Sequence, residues 1–195
     1  RPVAELMTIN FAFVAMDPPS SYTADQIRAE KRKIVESIQL PHAEDLSRVA
    51  ALGQYGASPP DAEPTIAAYT DLPSIANDST TETFAALRFT FDNWRWGGTP
   101  FYVRTGKRMP RKCTEIVVQF KCPPANLFRA FTREPIMPVR MIIAIAPSES
   151  FRVRFNSKVP GPGIHLRPVE MRMNYRDEVR HPSVEAYGPL ILDAM

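Results

Sequence analysis

Asp92-Asn93-Trp94-Arg95-Trp96-Gly97-Gly98-Thr99-Pro100-Phe101-Tyr102-Val103-Arg104-Thr105-Gly106-Lys107 is the stretch on which the reading of the chain turns. Two tryptophans flank an arginine, and a glycine pair follows. Gly97-Gly98 marks a turn, with both tryptophans expected to anchor a hairpin corner in the core. Arg95 is placed for a cation–π contact with one of them. Phe101 to Arg104 then reads as a short strand. Just upstream, Leu87, Phe89 and Phe91 alternate with Arg88 and Thr90, the period of two of a half-buried strand. The corner therefore joins two strands.

Working outward, the same period returns four more times. Ile116, Val118 and Phe120 alternate with Glu115, Val117 and Gln119. Val139, Met141, Ile143 and Ile145 form the next set. Phe151, Val153 and Phe155 alternate with Arg152 and Arg154; Val169, Met171, Met173 and Tyr175 alternate with Glu170, Arg172 and Asn174. Strand candidates in succession with no strong helix between them predict a largely antiparallel sheet, one face packed and one polar. Towards the start the period is helical. Residues Leu6 to Met16 read as the end of a buried helix, stopped by Asp17-Pro18-Pro19. Thr23 with Gln26 three residues on is a capping signature. It opens an amphipathic helix over about Ala24 to Ile38, with Ile27, Ile34, Val35 and Ile38 on its apolar face. Residues Pro41 to Asp78 read as a long irregular connection with short helical pieces, unusual in a compact domain and a pointer to function. The fold class is α+β: a large, mainly antiparallel sheet with helices packed on one face.

With 195 residues, 44% hydrophobic and 23% charged, the chain can bury a core and falls in the globular range. The net charge of +3 is too small an excess to imply nucleic acid. No apolar run approaches the roughly 18 residues of a membrane span, so no membrane partner is expected. Cys113 and Cys122 are nine positions apart on one predicted strand, too far for a bridge. A reducing, cytoplasmic setting is expected. Twenty prolines against eight glycines predict stiff connections. Arg1 is not a natural initiator, so a start further upstream is expected.

The densest chemical feature is Arg104-Thr105-Gly106-Lys107-Arg108-Met109-Pro110-Arg111-Lys112, five cations in nine positions with no acid among them. Gly106 permits a turn and Pro110 stiffens its exit. Such a turn can aim two or three cations at one point, the geometry that suits a phosphate dianion. On charge alone the favoured reading is a solvated basic turn at a sheet's end. Phe101 and Tyr102 are not interleaved with the cations as a stacking platform needs, which argues against nucleic acid. His42, His165 and His181 have neither metal-ligand spacing nor a catalytic partner in sequence. Gly161-Pro162-Gly163 lacks the spacing of a dinucleotide loop.

The stretch from Asp92 to Lys107 closely resembles the glucose-6-phosphate dehydrogenase family, and so does Thr114 to Lys121. Val14 to Ser20, Ile27 to Lys31, Ser79 to Thr83 and Lys158 to Gly163 occur in the family's order, so the resemblance covers nearly the whole chain. It implies oxidation of glucose 6-phosphate to 6-phosphogluconolactone with NADP, sometimes NAD, at the entry of the pentose phosphate pathway. It also implies a homodimer or homotetramer assembled through the sheet. Residues 1–195 would be part of the C-terminal α+β domain, with the N-terminal Rossmann domain and the C-terminal end outside it. The family's substrate-binding lysine matches Lys107, and Lys112 stands where a second basic contact is expected. Animal members add a structural NADP site; Arg104 matches one of its cations, but Cys113 and Val117 stand at two others, so no cofactor residue is assigned. The coenzyme loop and the catalytic His with its Asp lie N-terminal to this region in the family, so no catalytic residue is assigned either. Ala4-Glu5-Leu6, Leu52 and Ala146 depart from the family's usual residues. A non-catalytic dimerising or regulatory relative is the alternative function.

Overall fold

A computed structural model describes residues 11–123 and 136–178. The chain divides into two compact units, residues 1–109 and 110–195.

In the first unit, residues 11–15 are helical and end at the Asp17-Pro18-Pro19 stop. Helix α1 (Ala24–Glu36) starts where the capping signature places it: the Gln26 amide donates to Thr23 Oγ1 at 3.4 Å. The reciprocal half of the capping box is absent. Gln26 Oε1 instead accepts from Ser20 Oγ, while the Thr23 amide donates to the Ser21 carbonyl. The helix ends two residues before Ile38. Ser37 caps it, its amide reaching the Lys33 carbonyl and its hydroxyl the Ile34 carbonyl. Strand β1 (Ile38–Gln39) follows at once and pairs with the end of β3 (Phe84–Phe91).

Between them lies the long connection. It holds short helical turns, as expected, and also β2 (Ala50–Gly53), which the sequence pattern does not show. β2 runs antiparallel to β3, Ala50 opposite Leu87 and Gly53 opposite Phe84. β4 (Phe101–Gly106) pairs antiparallel with β3 from Phe89–Phe101 to Phe84–Gly106. Ala12, Ala15 and Ile34 from the helical segments bury against Phe91, with Phe11, Phe89, Trp96 and Phe101 packed around them. The helices therefore lie on one face of this sheet. Two aromatic contacts in this core are edge-on: Phe91 meets Phe101 at 4.7 Å and Trp96 meets Phe101 at 5.1 Å between centroids, while Phe89 stacks on Phe101. Such pairs add about 0.5–1.5 kcal/mol each beyond area burial.

The two tryptophans part company at the corner. Trp96 anchors it: its Nε1 donates to the Ala15 carbonyl at 2.8 Å. Arg95 stacks over Trp96 at 5.0 Å and donates to Asp17 and the Met16 carbonyl. Trp94 is fully exposed, not in the core. In this tight corner (the Trp96 and Gly97 amides both return to Asn93, at Oδ1 and the carbonyl) neighbouring side chains diverge, and only one can face inward. Gly98 supplies the positive φ of 74° that the turn needs.

The second unit is a meander of β5 (Thr114–Gln119), β6 (Arg140–Ala146), β7 (Ser150–Lys158) and β8 (Leu166–Asn174), paired in that order and antiparallel throughout. Between Thr114 and Glu115 the register jumps from Ala146 to Ala144, leaving Ile145 as the extra residue of a bulge. Val139 and Tyr175 fall just outside the strands predicted for them. One face carries Ile116, Val118, Met141, Ile143, Phe151, Val153, Met171 and Met173 by register and alternation. The other carries Arg140, Arg152, Arg154 and Arg172 among Gln119, Glu115, Glu170 and Asn174, with Val117, buried Ile142 and Ala144 between them. Arg154 donates to Glu170, which holds that carboxyl below its ordinary range.

The class is α+β and antiparallel, as read, with the strands in two four-stranded sheets. The reason lies between β4 and β5: Arg108 leaves the extended region with φ 54°, and Pro110 has no amide to donate. Cys113 and Cys122 flank β5, free and exposed. No described helix is long and apolar enough to cross a membrane. His181 lies outside the described residues.

Candidate substrate-binding turn

β4 delivers the basic turn to the end of the first sheet where β2 also ends, with the start of β3 between them. Phe101, Val103 and Thr105 alternate with exposed Tyr102 and Arg104 along it. Lys107 then leaves the ladder but stays tethered: its amide donates to the Thr83 carbonyl at 2.8 Å. Its side chain is exposed. Gly106 does not supply the turn's left-handed residue, as its type had implied. It is needed for space, because a Cβ there would sit 2.9 Å from the Phe84 ring and 3.0 Å from Met109 Sδ. Arg108 takes the left-handed conformation instead, at φ 54°. A charged non-glycine residue there carries a cost of about 1–2 kcal/mol, the kind of local strain that recurs at ligand clamps.

Thr83 is the hub beneath the turn. It is 1% exposed. Its amide donates to the Gly53 carbonyl at 2.9 Å, its carbonyl accepts from Lys107, and its Oγ1 accepts from the Tyr55 amide at 2.9 Å. Gln54 spans outward to the Ser79 and Thr81 carbonyls at 2.9 and 3.0 Å. Tyr55 packs edge-on to Tyr69 at 5.7 Å. The irregular connection is thereby stitched to the strand that backs Lys107. The sequence offered two hints of this: the Gly53-Gln54-Tyr55 cluster inside an irregular region, and Thr83 at the point where the period changes to two.

Among the described residues, Arg104, Lys107 and Arg108 have no carboxylate within ion-pair distance. Arg111 has Glu115 at 3.9 Å, and Glu115 also meets Arg152 at 3.4 Å. Lys112, the second predicted contact, is exposed just before β5 in the second unit. Free cations on a held backbone can bind an anion by charge-assisted hydrogen bonds. They provide no nucleophile or general base. Among the described residues no three His, Cys, Asp or Glu side chains converge as a metal site would need. A dinucleotide does not fit the glycine pair at Gly161 and Gly163 either. That loop joins β7 to β8, and Lys158 Nζ turns into it, donating to the Val159 and Gly161 carbonyls. Two family departures can be placed. Leu52 is 60% exposed on β2, and Ala146 closes β6 opposite Thr114.

Residues 5–195 match the family described as glucose-6-phosphate dehydrogenase, C-terminal domain. The chain is 40% identical over 185 residues to a glucose-6-phosphate 1-dehydrogenase of Mycolicibacterium smegmatis, covering 93% of this chain and 36% of that protein. It is 39% identical over 186 residues to that of Bacillus subtilis, covering 94% of this chain and 37% of the relative. It thus spans little more than a third of the relatives' length. Among solved structures, a glucose-6-phosphate dehydrogenase in complex with its substrate glucose-6-phosphate superposes with a TM-score of 0.80 at 29% identity. That match covers 96% of this chain and 36% of the other. The enzyme from Mycobacterium avium gives 0.72 at 29% identity, covering 89% and 34%. The antiparallel sheets agree with these likenesses, and the chain belongs to the glucose-6-phosphate dehydrogenase C-terminal domain family.

Proposed function

We propose that the protein carrying this chain oxidises glucose 6-phosphate to 6-phosphogluconolactone, with NADP as hydride acceptor. The chain supplies part of the substrate site, through Lys107 and Lys112, and the sheet through which two or four copies assemble. The carrying observation is the exposed Lys107, with no ion-pair partner among the described residues, on a backbone fixed by Thr83, in a chain whose relatives bear the dehydrogenase name. Lys107 would donate to the sugar phosphate, holding the sugar in place without taking part in proton or hydride transfer. The described residues do not fit a nicotinamide nucleotide, so no step through NADP is assigned to them; the rest of the protein would bind it. Assembly is supported by the apolar face of the second sheet, where Met171 and Met173 are 64% and 44% exposed. No nucleic acid or membrane is part of this reading, and the setting is cytoplasmic.

The test is formation of NADPH from glucose 6-phosphate and NADP by the full-length protein, with Lys107→Ala beside it. Loss of one charge-assisted contact should raise the KM for glucose 6-phosphate by about tenfold or more. An unchanged KM would remove the role given to Lys107. No turnover by intact protein would favour the non-catalytic relative, for which the lack of an assigned catalytic residue among residues 1–195 is the supporting observation.

A further inference from the structure

We propose that Thr83 is a positioning residue for the substrate's phosphate, acting through Lys107; this rests on the role given to Lys107 above. Thr83 is a small polar residue almost wholly removed from solvent. Its amide, carbonyl and hydroxyl are all used: two of them hold the Gly53–Tyr55 segment and the third holds Lys107. The amide holds Gly53 at the end of β2, the hydroxyl holds the Tyr55 amide beyond it, and the carbonyl holds the Lys107 amide. The hydroxyl is the part a substitution can remove. Main-chain groups survive any side chain, but their direction depends on how the Thr83 peptide is oriented. Oγ1 fixes that orientation by tying it to Tyr55, itself braced by Tyr69 and next to the Gln54 clamp.

On the other side, Lys107 has little else to define it. Its side chain meets solvent, and the next residue sits in the sparsely allowed left-handed region. A strained turn relaxes unless its neighbours over-determine it. Here the neighbours are the Thr83 carbonyl and the close fit of Gly106 between Phe84 and Met109. If the Thr83 peptide rotates, the Lys107 amide loses its acceptor and the lysine's Cα shifts with it. The ammonium then reaches the phosphate less well, although it is still present and charged.

Four variants of the full-length enzyme test this: Thr83→Val, Thr83→Ser, Lys107→Ala and the Thr83→Val/Lys107→Ala double. Valine keeps the size and removes the acceptor; serine keeps the acceptor. Thr83→Val should raise the KM for glucose 6-phosphate about fivefold, the loss of one neutral hydrogen bond. The KM for NADP should stay within twofold. Thr83→Ser should restore the sugar-phosphate KM. In the Lys107→Ala background, Thr83→Val should raise KM no further, since the two act on one contact. Should valine prevent folding, Thr83→Cys gives the same reading with a weak acceptor of similar size. A normal KM in the folded valine or cysteine variant overturns the inference while leaving Lys107 its role. Full additivity in the double variant, or an equal rise in both KM values, makes Thr83 merely structural and overturns it too. An unchanged KM in Lys107→Ala overturns both readings together.

Discussion

At the scale of single residues, the basic turn shows why residue type alone misplaces a conformation. Glycine is the expected left-handed residue, yet Gly106 stays in the strand and Arg108 carries φ 54°. Gly106 is excluded from side-chain duty by the Phe84 ring beneath it, a tertiary fact with no local signature. It follows that Arg108→Gly should not destabilise the protein and should gain up to about 1 kcal/mol in urea unfolding, because glycine has no steric penalty there. Arg108→Val should lose about 1–2 kcal/mol, since a β-branched residue fits that region worst. A loss on Arg108→Gly as large as that on Arg108→Val would mean that the arginine side chain, not its backbone, is what the turn needs. The same limit explains Trp94 and Trp96. Both read as anchors, but only Trp96 finds an acceptor and an aromatic neighbour.

At the scale of elements, strands with strict alternation were legible, because one face of each must be buried or paired. β3 and β5 to β8 lie close to where the period of two places them. β2 was not: Ala50-Ala51-Leu52-Gly53 has no alternation, and only pairing with β3 makes it a strand. The basic turn was legible as a run of cations, whereas its support from Thr83 and Tyr55 depends on contacts between residues 24 to 30 positions apart, which leave no local pattern. The cross-strand row Gln119, Arg140, Arg154 and Glu170 gives an element-scale prediction. The Arg154 hydrogen bond lowers the Glu170 pKa in the folded state; nearby Arg154, Arg152 and Arg172 charges act in the same direction. A lowered folded pKa means the carboxylate's contribution is present above the ordinary value of 4.5 and is lost as pH falls through the lowered one. The stability advantage of the natural protein over Glu170→Gln should therefore be constant near neutrality and shrink below pH 4.5. Because the pair is exposed, the advantage should be small and weaken with salt. An advantage that grows on acidification would contradict the assigned direction.

At the scale of the whole molecule, the second sheet presents an apolar face and a mixed, arginine-bearing face, and they set different expectations. The arginine face is mixed: Glu115, Glu170, Gln119 and Asn174 answer its cations, but Ile142 is buried in its middle row and Arg152 Nε is buried without a hydrogen-bond partner among the described residues. The apolar face gains nothing from water. Met171 and Met173, on the outer strand β8, are exposed there beside Val153 and Phe151. Burial against a second copy would remove that area at about 25 cal/mol per Å². Methionine's flexible side chain suits a surface that must fit another irregular one. If copies assemble through this face, a charge placed at its exposed edge must be desolvated in the assembly but not in the free chain, a penalty of several kcal/mol for an unpaired ion. Met171→Glu in the full-length protein should then shift sedimentation towards the monomer at micromolar concentration, while Arg172→Glu, one residue along on the opposite face, should shift it far less. Both variants place a carboxylate on the same strand, and Arg172→Glu makes the larger change in net charge (−2 against −1) and removes the bond to Asn174, so a general loss of strand stability would affect Arg172→Glu at least as much. Equal dissociation in the two, or none in Met171→Glu, would place the assembly surface elsewhere on the protein.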